Sequence, residues 1–357
     1  MTTSSANHST RATTPALQSV VPGVWGLRDV FANLYFARNP NSPADPWVLL
    51  DAGLPGSGDK IRRRAEEIFG PNNPPAAIIL THGHFDHVGA LPSLLEAWPS
   101  VLVYAHPLEL PYLTGRSSYP PPDPTVGGGL MATMSFLYPK KPLDLGQRVT
   151  ALPADGSVPF LPGWRWLHTP GHTPGHVSFF REYDKTLVVG DAFVTVQAES
   201  GTATYTQQQE VHGPPAYFTP DWQQARASVQ QLADLEPQVA AAGHGIPMMG
   251  DELRRQLHEL ARQFDKKAVP AHGRYVQQPA QTDETGVVSV PPAAPVPLAW
   301  WLVGGAAVLG TVLLASRRSS SSSSSSSAAS GVYDLAARRA RAEGGQRQGP
   351  RPFAQYQ

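Results

Sequence analysis

Three imidazoles and one carboxylate fall within six consecutive positions, His82-Gly83-His84-Phe85-Asp86-His87, one residue (Thr81) after the apolar run Ala77-Ile78-Ile79-Leu80. Packing has no use for such a cluster, whereas imidazole and carboxylate are the ligands that suit zinc and its neighbours in the first transition row. A loop at a strand end can aim alternate side chains at one point, so His82 and His84 can share one ion while Asp86 and His87 turn toward a second. A solvated histidine-rich loop is the competing reading, and it leaves the order of the residues unexplained. The 357 residues include no cysteine, so disulfides, thiolate nucleophiles and thiolate ligands are all excluded, and any metal is held by nitrogen and oxygen.

The elements around the cluster must position it. β-Branched and aromatic residues with glycine breaks predict paired strands over residues 18–38, and Trp47-Val48-Leu49-Leu50 predicts another ending at Asp51. Residues 57–69 carry Ile61, Ala65 and Ile68 at helical spacing and stop at Gly70-Pro71. Strand 77–80, helix 88–98 and strand 101–104 continue an alternation that implies a layered α/β domain. Residues 106–145 break the pattern, being rich in Pro and Gly with Tyr112, Tyr119, Met131, Met134, Phe136 and Tyr138, so they read as an insertion. Strands return near 164–167, 177–180 and 186–189; a helix capped at Asp221 follows, then strand 239–242 and a charged helix over 251–267. Two rounds of strands then helices predict two sheets inside and helices outside.

Composition adds boundaries. With 28 Lys+Arg against 28 Asp+Glu the net charge is 0, which gives no sign of a nucleic-acid partner. Residues 1–17 read as a disordered lead-in, and 268–295 as a Pro-rich linker, extended and poorly packed. Residues 296–316 form an uncharged run with Trp300 and Trp301 near one end and Arg317 and Arg318 beyond the other, which reads as a single transmembrane helix. Residues 317–357, with the serine tract 319–327 and a basic excess, read as a disordered tail. Charge placement would put that tail inside and the enzyme outside; the missing export signal favours a catalytic domain facing the cytoplasm, which is the expectation adopted.

His82-Gly83-His84-Phe85-Asp86-His87 resembles the signature of the metallo-β-lactamase superfamily. Four further landmarks occur in that family's order: Asp51, Gly171-His172-Thr173-Pro174-Gly175-His176, Gly190-Asp191, and Gly243-His244-Gly245. The resemblance spans residues 18–267 and implies a four-layer αββα sandwich. It implies His82, His84 and His172 at one metal, Asp86, His87 and His244 at a second, and Asp191 between them. It also implies Asp51 and His176 as outer residues that orient ligands without binding metal. Two zinc ions are expected, with iron or manganese as alternatives. A hydroxide bridging the ions would attack an ester, thioester, lactone or related bond, and Asp86 would be the catalytic proton shuttle. Gly190-Asp191-Ala192-Phe193 is most similar to the glyoxalase II group, although its glutathione-holding basic residues cannot be located, and the tyrosine of the lactonase branch is Val194 here. The insertion and residues 201–218 are expected to wall a pocket for a small, apolar or amphipathic substrate. Two other readings are carried: a mononuclear iron oxygen-using enzyme such as a persulfide dioxygenase, and a non-catalytic membrane-tethered binding module.

Overall fold

Val48 and Leu50 face one way along the strand Trp47–Leu50 and Leu49 the other, and all three are fully buried, so this strand needs a packed layer on both sides. The computed structural model, which describes residues 17–293, supplies both. One sheet runs in chain order: β1 (Gln18–Val21), β2 (Val24–Asp29), β3 (Ala32–Arg38), β4 (Trp47–Leu50), β5 (Ala77–Ile79), β6 (Leu102–Ala105) and β7 (Val149–Ala151). Its first four strands are antiparallel and its last four parallel; helices α1 (Gly58–Phe69) and α2–α3 (Phe85–Val88 and Leu91–Ala97) make the first two parallel crossovers, and residues 106–148 make the third. The second sheet has the order β12 (Met248–Met249), β11 (Val239–Ala242), β10 (Thr186–Gly190), β9 (Val177–Arg181) and β8 (Trp164–His168), with only β10 and β11 parallel.

Three buried clusters fill the spaces between four layers. Val48, Leu50 and Ile79 meet Phe179, Val188 and Ala241 between the sheets. On the outer face of the first sheet Leu49, Ile78 and Val103 pack on Ile61, Leu91 and Leu94 of the helices. On the outer face of the second, Phe180, Leu187 and Ala240 pack on α4 (Trp222–Asp234) and α5 (Gly250–Arg262) through Val229, Leu232, Leu253 and Leu257. The expected helix–sheet–sheet–helix order is thus present. The Asp221 carboxylate caps α4 by accepting from the Gln224 N–H at 2.9 Å, as its start signal predicted.

The linker expectation is corrected. The chain beyond residue 267 packs: Tyr275 is buried with its hydroxyl on the Pro121 carbonyl at 2.7 Å, and the Val287 N–H donates to Ser117 Oγ at 3.1 Å from the hairpin Gln281–Asp283 and Gly286–Ser289. Proline content predicts extension, but not whether an insertion elsewhere supplies a surface for the extended chain. Here residues 111–126 do. The charged helix expected over 251–267 is two pieces, interrupted at Gln263 before Phe264–Lys267.

Among the described residues no helix is long and apolar enough to cross a membrane. The lead-in, the segment 296–316 and the tail lie outside the described residues, apart from Leu17.

Candidate metal centre

Each landmark follows the carboxyl end of a strand, and all meet at one end of the sandwich: Asp51 after β4, His82 to His87 after β5, His172 after β8, Asp191 after β10 and His244 after β11. Single ligand atoms of His82, His84 and His172 lie within 4.8 Å of one another, as do those of Asp86, His87 and His244, and a third trio is His82, His87 and Asp191. Asp191 sits between the first two groups. Its Oδ2 is 3.1 Å from His244 Nε2, 3.4 Å from His172 Nε2 and 3.6 Å from His87 Nε2. The structure therefore gathers all seven residues expected at the metals into one buried cluster.

The outer hydrogen bonds decide which nitrogen faces inward. His87 Nδ1 is 2.8 Å from Asp51 Oδ2, which also accepts from Thr81 Oγ1 at 2.8 Å, while Asp51 Oδ1 accepts from the Thr81 N–H at 2.7 Å. Thr81 Oγ1 is in turn 3.0 Å from His82 Nδ1, and His244 Nδ1 donates to the Phe31 carbonyl at 2.8 Å. These bonds turn the Nε2 atoms of His82, His87 and His244 into the cluster. His82 Nε2, His87 Nε2 and Asp191 Oδ1 are buried without any hydrogen-bond partner. Buried polar atoms are rarely left so, and a cation is the partner that several converging lone pairs share. His84 Nδ1 and His172 Nε2 approach to 2.9 Å, two lone-pair donors aimed at one place. The donor set, nitrogen and carboxylate oxygen only, fits zinc, iron or manganese.

His176, expected as a strand or orienting residue, ends the loop before β9 and touches no other member of the trios by hydrogen bond except Asp191. Its Nε2 accepts the Asp191 backbone N–H at 2.8 Å, which requires the Nδ1 tautomer, and Nδ1 donates to Thr169 Oγ1 at 2.9 Å. It holds the backbone from which the Asp191 side chain projects. His106 and His168 stack at 4.2 Å away from the trios, and His258 pairs with Glu236 at 2.6 Å. His212 pairs with Val194 through its backbone and lies 3.9 Å from Glu199.

Residues missed in the sequence complete the support. Asn33 Nδ2 donates to the carbonyls of Ala242 (2.9 Å) and Gly245 (2.6 Å), and the Tyr35 hydroxyl donates to Ala242 at 2.6 Å, so β3 of the first sheet grips the His244 loop of the second. Asn33 and Tyr35 look like ordinary strand residues, and nothing in their spacing signals the role. Glu109 was missed too: it is fully buried and accepts from Gly83, Thr173 and Gly175 as well as the Tyr119 hydroxyl. Burial pushes its carboxyl up while those donors pull it down. The visible signal was slight: one of three acids, with Asp123 and Asp144, within an apolar, Pro-rich insertion.

Burial is the largest influence on every histidine here. It drives His82 and His172 well below the usual imidazole range, with neighbouring imidazoles adding to the effect, and takes His84 and His176 to about 3. For His87 and His244 burial is outweighed by carboxylates, chiefly Asp191, so His87 is raised well above the usual range and His244 to about 9. Asp191 is held well below the carboxylate range by His244 and His87 against its burial, whereas burial raises Asp86. A pH consequence follows for the protein stripped of metal. His84 and His176 have folded values below the unfolded value of about 6.5, so the unfolded chain binds protons that the folded chain refuses as pH falls from about 6.5 toward 3. Stability present above pH 6.5 is lost across that window, roughly 2 kcal/mol per group by pH 5. Thermal melts in chelator should show a clear drop in Tm from pH 7 to pH 5; an unchanged Tm contradicts the burial of neutral imidazoles.

A cleft opens onto His84 and Gly83, walled by Phe85, Tyr112, Tyr119, Phe218 and Leu143, with Lys140 and Lys141 at its rim. The insertion thus walls the site as expected, but only in part: Met134, Phe136 and Leu137 are exposed. A list of apolar residues cannot say which of them turn inward in a segment without regular period.

A fold of two mixed sheets between helices, with these histidines and aspartates at its strand ends, defines a family, and the family model described as "Metallo-beta-lactamase superfamily" matches residues 27–244. The chain belongs to that superfamily. It is 51% identical over 239 residues to "Probable metallo-hydrolase YflN" of Bacillus subtilis, covering 67% of this chain and 90% of that protein. It is 34% identical to "Uncharacterized protein YobT" of the same organism, covering 60% and 82%. Among solved structures, the archaeal superfamily protein ST1585 from Sulfolobus tokodaii is 20% identical with a TM-score of 0.46, covering 72% of this chain and 87% of that one.

Proposed function

We propose that this chain is a two-metal hydrolase, with zinc in both positions, that cleaves thioesters or related acyl bonds of amphipathic substrates. The observation that carries the reading is the convergence of the three trios from four strand ends, with His82 Nε2, His87 Nε2 and Asp191 Oδ1 buried and unpartnered among them. His82, His84 and His172 would hold one ion, and Asp86, His87 and His244 the other. When bound, the ions supply a hydroxide nucleophile at neutral pH and polarise the substrate oxygen. The chain's own residues do the rest. Asp191, close to imidazoles of both groups, holds the two halves together as a carboxylate, and Asp51 fixes the tautomer of His87 directly and of His82 through Thr81. Asp86, whose carboxyl burial raises, carries a proton to the leaving group. Phe85, Tyr119 and Phe218 bind the acyl body and exclude water. The Gly190-Asp191-Ala192-Phe193 element supports a glyoxalase II-like preference for thioesters.

The test is a zinc-loaded panel of thioesters, lactones, β-lactams and phosphodiesters, with His84→Ala protein as the control and metal counted per chain. Thioester turnover lost in the control, at two zinc ions per wild-type chain, is the expected result; no turnover of any substrate with no metal uptake removes the reading. Lys140 and Lys141 form no ion pair among the described residues, so the rim suits a substrate whose far end is anionic. Reversing both charges (Lys140→Glu with Lys141→Glu) should raise KM for an anionic acyl thioester on the order of five- to tenfold, leaving kcat and a neutral thioester nearly unchanged. Equal KM values for the two substrates before and after would refute the rim's role. Anchoring through 296–316 with the catalytic domain facing the cytoplasm belongs to the same proposal, supported by the uncharged run between its tryptophans and arginines. Protease accessibility in intact cells tests it.

A further inference from the structure

Glu109 has no side-chain exposure and no part in either trio, yet four donors converge on its carboxylate. The Gly83 N–H reaches Oε2 at 2.9 Å, and the Tyr119 hydroxyl donates to the same oxygen. Thr173 Oγ1 reaches Oε1 at 2.7 Å, and the Gly175 N–H reaches it at 2.9 Å. The two oxygens thus serve different loops. Gly83 lies between His82 and His84, and Thr173 follows His172, so one carboxylate joins the two segments that bring His84 Nδ1 and His172 Nε2 to 2.9 Å. Those segments are 88 residues apart in the chain and come from different sheets.

The fit is tight enough to restrict its neighbours. A Cβ on Gly175 would lie 2.8 Å from Glu109 Cγ and from its backbone nitrogen, and a Cβ on Gly83 would lie 2.6 Å from the Tyr119 hydroxyl. Both loops can approach the carboxylate only because they carry glycine there. Glu109 is itself held at the end of the 3₁₀ turn Pro107–Glu109, whose start is capped by His106 Nδ1 accepting from the Leu108 N–H at 3.2 Å. A carboxylate with one backbone N–H and one hydroxyl on each oxygen is a complete acceptor set, and buried charge-assisted bonds of this kind hold geometry well.

We infer that Glu109 is a positioning residue for the three-imidazole metal site: bridging the His82–His84 and His172 loops, it sets the spacing of His84 and His172, and with it that site's metal affinity, without touching the ion. This rests on the two-metal reading above. The test uses purified full-length chain, stripped and titrated with cobalt(II) as the probe metal, with uptake per chain and the visible absorption spectrum as readouts.

Glu109→Gln keeps the shape but aims an NH₂ group at one of the backbone N–H donors. Its expected result is a 10- to 100-fold weaker three-imidazole site with the Asp86, His87 and His244 site as in wild type, so one ion is bound where wild type takes two. A folded Glu109→Gln protein that binds two ions with wild-type spectrum and affinity overturns the inference. So does an equal loss at both sites, which is what a general packing role would give. If Glu109→Gln does not fold, Thr173→Val, which removes a single donor without changing size, carries the test: three- to tenfold weaker binding at the three-imidazole site supports the clamp, and no change overturns it. Wild-type chain that takes up no cobalt overturns the two-metal reading, and the clamp with it; that failure is distinct because it precedes any substitution.

Discussion

Asp191→Asn protein should retain no more than about one thousandth of the wild-type hydrolytic rate and should bind fewer than two metal ions per chain. The carboxylate lies within 3.6 Å of imidazoles from both groups, His172 on one side and His87 and His244 on the other. It is buried, and the charge that those neighbours stabilise on it is what holds its pKa well below the carboxylate range. The amide keeps the volume but removes the charge and turns an NH₂ toward imidazole lone pairs. The loss of several kcal/mol of transition-state stabilisation corresponds to about a thousandfold or more in rate. Its backbone N–H still donates to His176, so the fold should persist, and circular dichroism can check that. Activity above a tenth of wild type at full metal loading would mean that Asp191 does not join the two halves.

Gly243→Ala should be nearly as damaging, although no polar group is removed. A Cβ at position 243 would sit 2.0 Å from Asp191 Oδ1 and 2.8 Å from His87 Cε1. The backbone cannot retreat, because the Gly243 N–H donates to the Gly190 carbonyl at 2.8 Å and the Gly243 carbonyl accepts from Asn33 at 2.7 Å. Displacement falls on Asp191, which lies between the two groups, and on His87 of the second. Metal affinity should drop at least about a hundredfold and activity below about one percent, with about 1–3 kcal/mol of stability lost to overpacking. Gly201→Ala is the control: its nearest contact would be an ordinary 3.8 Å to Leu130, and all three measurements should stay at wild-type values. A Gly243→Ala protein that binds metal as tightly as that control would show that the loop yields more readily than its hydrogen bonds suggest.

The ligand cluster was legible because its members are chemically unusual and locally ordered. His82, His84, Asp86 and His87 announce themselves by spacing, and His172, Asp191 and His244 through the resemblance of their glycine-flanked landmarks to the family's. The layers were legible through the alternation of short apolar strands such as Trp47–Leu50 with helices. Asn33, Tyr35, Thr81 and Glu109 were not, because each acts through contacts with a segment distant in the chain. Nor was the packing of residues 268–293, where prolines suggested a free linker and the insertion offered a surface for it.

Ligand identity, strand and helix periodicity and chain order are properties of neighbouring residues, and the amino-acid sequence alone determined them: an oxygen-and-nitrogen metal set on a layered α/β frame. Which nitrogen of each histidine faces the centre, how closely Asp191 approaches each group, and which acid ties the loops together depended on the tertiary structure. Hydrogen bonds and electrostatic attraction act through space over a few ångströms, and only folding brings Asp51 to His87, or Glu109 to Gly83 and Thr173, within that reach.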